Sequence, residues 1–330
     1  MNPVTISRQR VLSGMRPTGP LHLGHLEGAL KNWTELQKQY ECFFMVADWH
    51  ALMSEYERPG QIREWTTQMV HDWIAAGVDP DRSVLFRQSD VPEHLELYMV
   101  LSALVPLGWV ERVPTYKEQL REVAGRDLTT YGFLGYPVLQ AADILLYKAQ
   151  AVPVGEDQVA HLELAREIVR RFHALYKKEI FPEPKPLLTR ESRLLGLDGR
   201  KMSKSFGNSI ALSDSAEEIR RKTQKMFTDP KRIKMTDPGH PESCNVCHYW
   251  ELFSPEQAPR VREECRTSKR GCTQNKAELG EELIRMTERF RAQRQRSQED
   301  LEKILAQGAQ RAREAAQATM REVRSAIGLS

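Results

Sequence analysis

Apolar positions along this chain follow two regimes. Up to about residue 207, short apolar runs of strand length alternate with segments whose apolar residues recur every three to four positions. From Ser213 onward only the helical spacing remains. The first run, Arg10-Val11-Leu12-Ser13, reads as the end of a strand, and Leu26, Leu30, Trp33 and Leu36 follow at helical spacing. Glu41 to Val46 continues to His50 as an unbroken apolar run closed by polar residues, the pattern of a parallel strand covered on both faces. Arg63 to Gly77 reads as a helix built for a core, with Trp65, Met69 and Trp73 on one stripe and Ile62 just before it, and it stops at Gly77 and Pro80. A strand over Ser83 to Gln88, a helix over Glu93 to Leu104, a helix over Tyr136 to Tyr147 and a strand over Ala151 to Val154 continue the alternation. A helix with Leu162, Leu164, Ile168 and Val169 comes next.

Alternating strands and helices require right-handed crossovers and a parallel sheet. The expected fold is therefore α/β, a Rossmann-like doubly wound parallel sheet, followed by an all-helical domain. The capped start at Ser213 to Ile219 and the amphipathic stretches Glu278 to Phe290, Asp300 to Ala306 and Arg311 to Ile327 make up the second part. The boundary is placed near residues 207 to 212, giving domains 1–208 and 209–330. Between them in character stands 106–130, a polar, irregular segment with Pro114, Gly125 and a charged Lys117 to Arg126 run. No repeat is evident.

Composition changes this picture little. A chain of 330 residues, 40% of them hydrophobic, can bury a large core in about two domains. The start Met1-Asn2-Pro3-Val4-Thr5 has no basic segment leading into an apolar stretch, and the most apolar window, Cys42 to Met53, is broken by Asp48 and His50. No membrane association is expected. A net charge of only +3 permits a nucleic-acid partner without requiring one. One isolated and four late cysteines point to a reducing cytoplasm rather than a disulfide scaffold.

Candidate chemistry concentrates in a few turns. Gly14-Met15-Arg16-Pro17-Thr18-Gly19-Pro20-Leu21-His22-Leu23-Gly24-His25 joins a strand to a helix, where free N–H groups and a partial positive charge suit a phosphate. His22 and His25 share a helical face and can donate to phosphoryl oxygens, while Gly24 lets a flat ring lie against the backbone. Alone, the string also fits an ordinary helix start with two surface histidines. Far downstream, Lys201-Met202-Ser203-Lys204-Ser205 sits between Asp198-Gly199-Arg200 and Phe206-Gly207-Asn208, a mobile cationic clamp for charge developing on a leaving pyrophosphate. Asp143 lies among apolar neighbours, either gripping a donor or capping a loop. The turn Gly155-Glu156-Asp157-Gln158 suits ribose hydroxyls or simply caps a helix, and His50 closes a strand where a ligand would lie. Cys244, Cys247, Cys265 and Cys272 suit a tetrahedral metal, an iron–sulfur cluster or unligated thiols.

Taken together, His22-Leu23-Gly24-His25 and Lys201-Met202-Ser203-Lys204-Ser205 resemble the two signatures of class I aminoacyl-tRNA synthetases, the second letter for letter. Tyr136 to Tyr147 and Val152 to Gln158 resemble the tryptophanyl branch, since the tyrosyl branch usually has Gly-Gly where this chain has Val154-Gly155. The likeness runs from about Ser13 to Ser205. It implies ATP and Mg2+ as cofactors, L-tryptophan and tRNA(Trp) as partners, adenylate formation followed by transfer to tRNA, and a homodimer in contact through 106–130. It also implies roles for individual residues. Arg16, Thr18, Gly24 and His25 would contact ATP, with His22 at the phosphates. Gly155 and Asp157 would hold the ribose and Leu194 the adenine. Asp143 would bind the indole, helped by His50 and Gln158, with Tyr136 and Gln140 beside them. Lys201, Met202, Ser203, Lys204 and Ser205 would close on the pyrophosphate, and His22, His25, Lys201 and Lys204 would carry the catalysis. A donor-only indole N–H asks for a buried acceptor such as Asp143.

In the helical domain, which the family uses for the anticodon, the last helix is expected to pack back on the catalytic domain. Some bacterial members of the tryptophanyl branch carry a four-cysteine iron–sulfur site, and Cys244, Cys265 and Cys272 resemble three of its ligands. Asn275 stands where the fourth would be, with Cys247 as substitute. A [4Fe-4S] cluster, Zn2+ and no metal are kept as alternatives. Two other functions stay open: a tyrosyl-tRNA synthetase or related nucleotidyltransferase, and a duplicated synthetase recruited to bind tryptophan or a protein.

Overall fold

Five parallel strands set the frame: β1 (Arg10–Met15), β2 (Glu41–Val46), β3 (Ser83–Arg87), β4 (Ala151–Val154) and β5 (Lys185–Leu188). The structure, a computed structural model, describes residues 8–114, 116, 128–188, 194–200, 202, 206–294 and 298–329, the side chains of Asp157 and Gln298 excepted. The strand order is β3-β2-β1-β4-β5, so the chain winds outward from β1 in one direction and returns to start in the other at β4. In such a sheet the crevice at the carboxyl ends of the two strands flanking that reversal is where ligands gather. Chemistry placed after β1 and β4 therefore shares one crevice.

The helices, numbered over the described residues, are α1 (Leu23–His25), which runs through a π-helical turn (Leu26–Leu30) into α2 (Lys31–Gln39), then α3 (Asp48–Glu55), α4 (Gly60–Ala76), α5 (Glu93–Ser102) and α6 (Leu107–Glu111). They continue with α7 (Tyr131–Leu134), α8 (Tyr136–Leu146), α9 (Val159–Tyr176), α10 (Ala216–Gln224) and α11 (Asn245–Phe253). The last are α12 (Ala258–Arg266), α13 (Cys272–Gln293) and α14 (Gln298–Ile327). Several differ from the expected outline. His50 lies in the first turn of α3, because β2 stops at Val46 and Ala47 turns the chain into a helix. Within the segment read as irregular, Pro106 initiates α6. β5 went unread since Pro186 and its flanking polar residues mask a strand lying at the sheet edge.

The stretches 300–306 and 311–327, read as two helices, form the single 30-residue α14. Gly308 lies between the two stretches. In the structure it is a point of contact: a Cβ there would stand 1.8 Å from the carbonyl oxygen of Leu85, so only glycine lets the helix lie against β3. Below Gly308, Ala309, Ala312, Ala316, Met320 and Val323 enter the core that also holds Leu12, Phe43, Val84, Phe86 and Leu145. A second core gathers Val11, Leu30, Trp33, Phe44 and Trp73 with Val246, Trp250 and Leu283 from the helical part. Trp33 stacks on Phe44 at 4.3 Å and donates its indole N–H to Ser13 Oγ at 3.1 Å. Charged pairs tie the same halves together: Arg87 with Glu302, Arg294 with the buried Asp72, and Arg324 with Glu96. Among the described residues no helix is long and apolar enough to cross a membrane.

Candidate functional site

The histidine turn after β1 is closed by the two histidines themselves. His22 is the N-cap of α1, and its Nδ1 accepts the Gly24 N–H at 3.2 Å. In return His25 Nδ1 accepts the His22 N–H at 3.1 Å, and the two rings sit 3.8 Å apart. An imidazole whose Nδ1 accepts carries its proton on Nε2 when neutral. In the neutral rings the reciprocal cap thus puts the proton on Nε2, an N–H of the kind that a phosphoryl oxygen accepts. Gly24 is required for a further reason than the one expected: a Cβ would stand 3.0 Å from the His22 ring that folds back over it.

This turn is pinned from downstream. The Leu23 N–H donates to the Ile210 carbonyl at 3.0 Å and the Leu212 N–H to the Leu21 carbonyl at 2.8 Å, pairing the turn with the segment that follows the lysine loop. Met202, from inside that loop, is buried, donates its N–H to the Leu194 carbonyl at 3.3 Å, and brings its sulfur to 3.7 Å from where a Gly24 Cβ would be. So Gly24, Met202 and Leu194 are brought together. Lys201, Ser203, Lys204 and Ser205 lie outside the described residues, as do Lys117 to Arg126 in the 106–130 segment. Arg16 is exposed just past β1 and Thr18 is half-buried next to it, its N–H on the Arg16 carbonyl at 2.9 Å.

Beyond β4, Gly155 turns the chain into a short 3-10 helix, Glu156–Gln158, ahead of α9. On α8, Tyr136, Gln140 and Asp143 recur at helical spacing and share a face. Tyr136 is buried, its hydroxyl 3.3 Å from His161 Nε2, while Gln140 is half-buried.

Asp143 is the centre of a polar cluster inside this apolar helix. Only 2% of it is exposed. Its Oδ2 meets His50 Nε2 at 2.8 Å, and its Oδ1 meets both Gln88 Nε2 at 2.8 Å and His94 Nδ1 at 2.7 Å. Behind His94, Nε2 meets the Tyr147 hydroxyl at 2.7 Å. Burial pushes the carboxyl up, but His50 and His94 outweigh it, and the group is lowered to about 2. The Tyr147 hydroxyl is pushed well up, by burial first and then by the Asp143 charge. Gln88, His94 and Tyr147 were not anticipated. Gln88 opens a 3-10 turn, and His94 and Tyr147 belong to helical stretches that read as core; no spacing marks them.

The four late cysteines share the helical half. Cys244 caps α11, Cys247 lies in its first turn, Cys265 ends α12 and Cys272 begins α13. Hydrogen bonding to Cys247 holds the Cys244 and Cys265 thiols below their ordinary range, and the same contacts push Cys247 up. Asn275 donates toward Cys247 Sγ at 3.8 Å and accepts the Trp250 indole N–H at 2.8 Å. The soft donors suit iron or zinc, but the geometry does not: among the described residues no three His, Cys, Asp or Glu side chains are arranged to hold a metal. As placed, Cys244, Cys247 and Cys265 form a hydrogen-bonded thiol cluster in which Cys247 keeps the proton that a ligand must lose, and burial pushes the Cys272 thiol up.

Comparison with known proteins adds an independent line. The profile of the family described as tRNA synthetases class I (W and Y) matches residues 6–323. The tryptophan–tRNA ligase of Thermotoga maritima is 49% identical over 326 residues, covering 97% of this chain and 99% of its own. That of Ralstonia nicotianae is 42% identical over 395 residues, covering 98% and 99%. The crystal structure of a tryptophanyl-tRNA synthetase from Campylobacter jejuni, complexed with ADP and tryptophan, superimposes with a TM-score of 0.90 at 32% identity, covering 97% of this chain and 100% of that one.

Proposed function

The chain belongs to the class I tRNA synthetases of the tryptophan and tyrosine group, and from that premise we infer the ligase that joins tryptophan to its tRNA. It activates L-tryptophan with ATP, releasing pyrophosphate, and passes the aminoacyl group from tryptophanyl-adenylate to tRNA(Trp). The observation that carries the tryptophan assignment is Asp143: a buried carboxylate, kept ionised by two imidazoles, is an acceptor without a competing donor.

The assignment of roles is ours. A tryptophan carboxylate oxygen attacks the α-phosphorus and the bond to pyrophosphate breaks, so no side chain needs to become a nucleophile. His22 and His25 supply Nε2–H donors at the helix start, beside Arg16, Thr18 and Gly24. Gly155 and Asp157 take the ribose, and Leu194 with Met202 flanks the adenine. Lys201, Ser203, Lys204 and Ser205 close on the pyrophosphate as charge develops there. Mg2+, which the family uses with ATP, would when bound neutralise charge on the phosphates, and the residues named here bind and orient them. Asp143, His50, Gln158, Tyr136 and Gln140 hold the amino acid. Residues 209–330 take the anticodon side of the tRNA, and the reaction belongs in a reducing cytoplasm, where the five free cysteines stay thiols.

An amino-acid-dependent ATP–pyrophosphate exchange screen, followed by charging of tRNA(Trp), tests this function. Exchange with tryptophan and subsequent charging is the expected result; exchange driven by tyrosine, or exchange without charging, overturns it. The soft-metal reading of the cysteines rests on donor chemistry alone and enters no step. Iron and zinc analysis of anaerobically purified protein decides it, and colourless, metal-free protein removes it.

A further inference from the structure

The groups around Asp143 can be counted donor by donor. A carboxylate offers about four lone-pair positions. On Oδ1 two are taken, by Gln88 Nε2 at 2.8 Å and His94 Nδ1 at 2.7 Å; on Oδ2 one is taken, by His50 Nε2 at 2.8 Å. One position remains, on Oδ2. His94 gives its Nδ1 proton to the carboxylate, so its Nε2 must accept, and the Tyr147 O–H fills it at 2.7 Å. Gln88 must turn its NH2 toward the anion, which aims its carbonyl elsewhere. That Oε1 is buried and has no hydrogen-bond partner. Tyr147 and His94 donate within the group, as do His50 Nε2 and one of the two Gln88 N–H groups, and the Gln88 carbonyl and one Oδ2 lobe are left as acceptors.

The group is also held still. Gln88 and His94 are fully buried, His94 stacks against Phe86, and Tyr147 stacks on Phe43 at 4.8 Å. On either side of Gln88, Arg87 makes a two-toothed pair with Glu302 of α14, at 3.1 and 2.9 Å, and Ser89 is bound through its N–H and hydroxyl to Asp48.

We propose that Gln88 and His94 are positioning residues of the tryptophan site: by occupying both lone-pair positions of Oδ1 they hold Asp143 so that the remaining acceptor lobe on Oδ2 forms the recognition edge for a donor. This rests on the tryptophan reading above and deepens it. An indole N–H, which donates and cannot accept, satisfies such an edge. A phenol brings lone pairs against acceptors, and a phenyl ring leaves them unpaired.

The test is pyrophosphate exchange with tryptophan and with β-(benzothiophen-3-yl)alanine, whose sulfur replaces the N–H, in wild type, Gln88→Met and Gln88→Glu. Gln88→Met keeps the volume and removes both the donor and the carbonyl. It is expected to raise the KM for tryptophan about tenfold, leave the ATP KM and kcat within about twofold, and shrink the preference for tryptophan over the analogue about tenfold. Gln88→Glu can donate to Asp143 only while its own carboxyl is protonated, so its tryptophan KM is expected to approach the wild-type value as pH falls. An unchanged preference in Gln88→Met overturns the proposal, as does a parallel rise of both KM values. A pH-independent tryptophan KM in Gln88→Glu also overturns it, and that profile remains readable if Gln88→Met folds poorly. Wild-type exchange that ignores tryptophan would instead sink the function itself, so the two failures are told apart.

Discussion

At the scale of the residue, the site turns on where protons are held. Asp143 is lowered to about 2, against burial, by His50 and His94. A carboxyl depressed in the folded state stabilises the fold above its unfolded value near 4 and loses that contribution as pH falls through about 2, on the order of 2 kcal/mol in all. The KM for tryptophan should therefore show no titration of Asp143 between about pH 5 and 8. Asp143→Asn reverses one half of the group, setting an NH2 among donors, and should raise the KM for tryptophan about 10- to 100-fold with the ATP KM unchanged. Steady-state exchange kinetics read both. Lys204→Ala should act on the other side of the reaction, lowering kcat for exchange at least tenfold while tryptophan affinity, measured by equilibrium titration, stays put. Asp143 was legible because an acid amid Leu139, Ile144 and Leu146 is costly without donors. The donors were not: Gln88 and His94 come from different elements, and only the sheet brings them to one oxygen.

At the scale of the element, periodicity gave the strands and helices where one face or both were apolar, and failed where a glycine or a proline stood at a contact. The histidine pair was read as two ligands on a helix face; the structure adds that they cap each other, which needs three-dimensional hydrogen bonds no spacing encodes. Gly308 lies inside α14, where a glycine usually weakens a helix. Its contact with the Leu85 carbonyl reverses the expectation for mutation: Gly308→Ala improves helix propensity and yet should destabilise the protein by about 1–3 kcal/mol through overpacking. A lower midpoint in thermal melting checks this. A midpoint unchanged or raised would mean that α14 can move off β3 at no cost.

At the scale of the whole molecule, the fold class could be read from the alternation of runs, but the strand order, and with it the crevice between β1 and β4, could not, since order depends on crossovers that leave no local mark. Met99 of α5, Leu107 of α6 and Tyr131 of α7 are large apolar side chains left largely exposed.

The placement of α14 also bears on how the protein is made. β3 is an edge strand, and the helix that covers it, through Gly308 and Arg311 near the Ser83 and Leu85 carbonyls, is encoded more than two hundred residues later. While a ribosome is still translating the intervening segments, the sheet has a bare flank that invites pairing with other nascent chains. The sheet therefore gains the cover over its β3 flank only once α14 has been made.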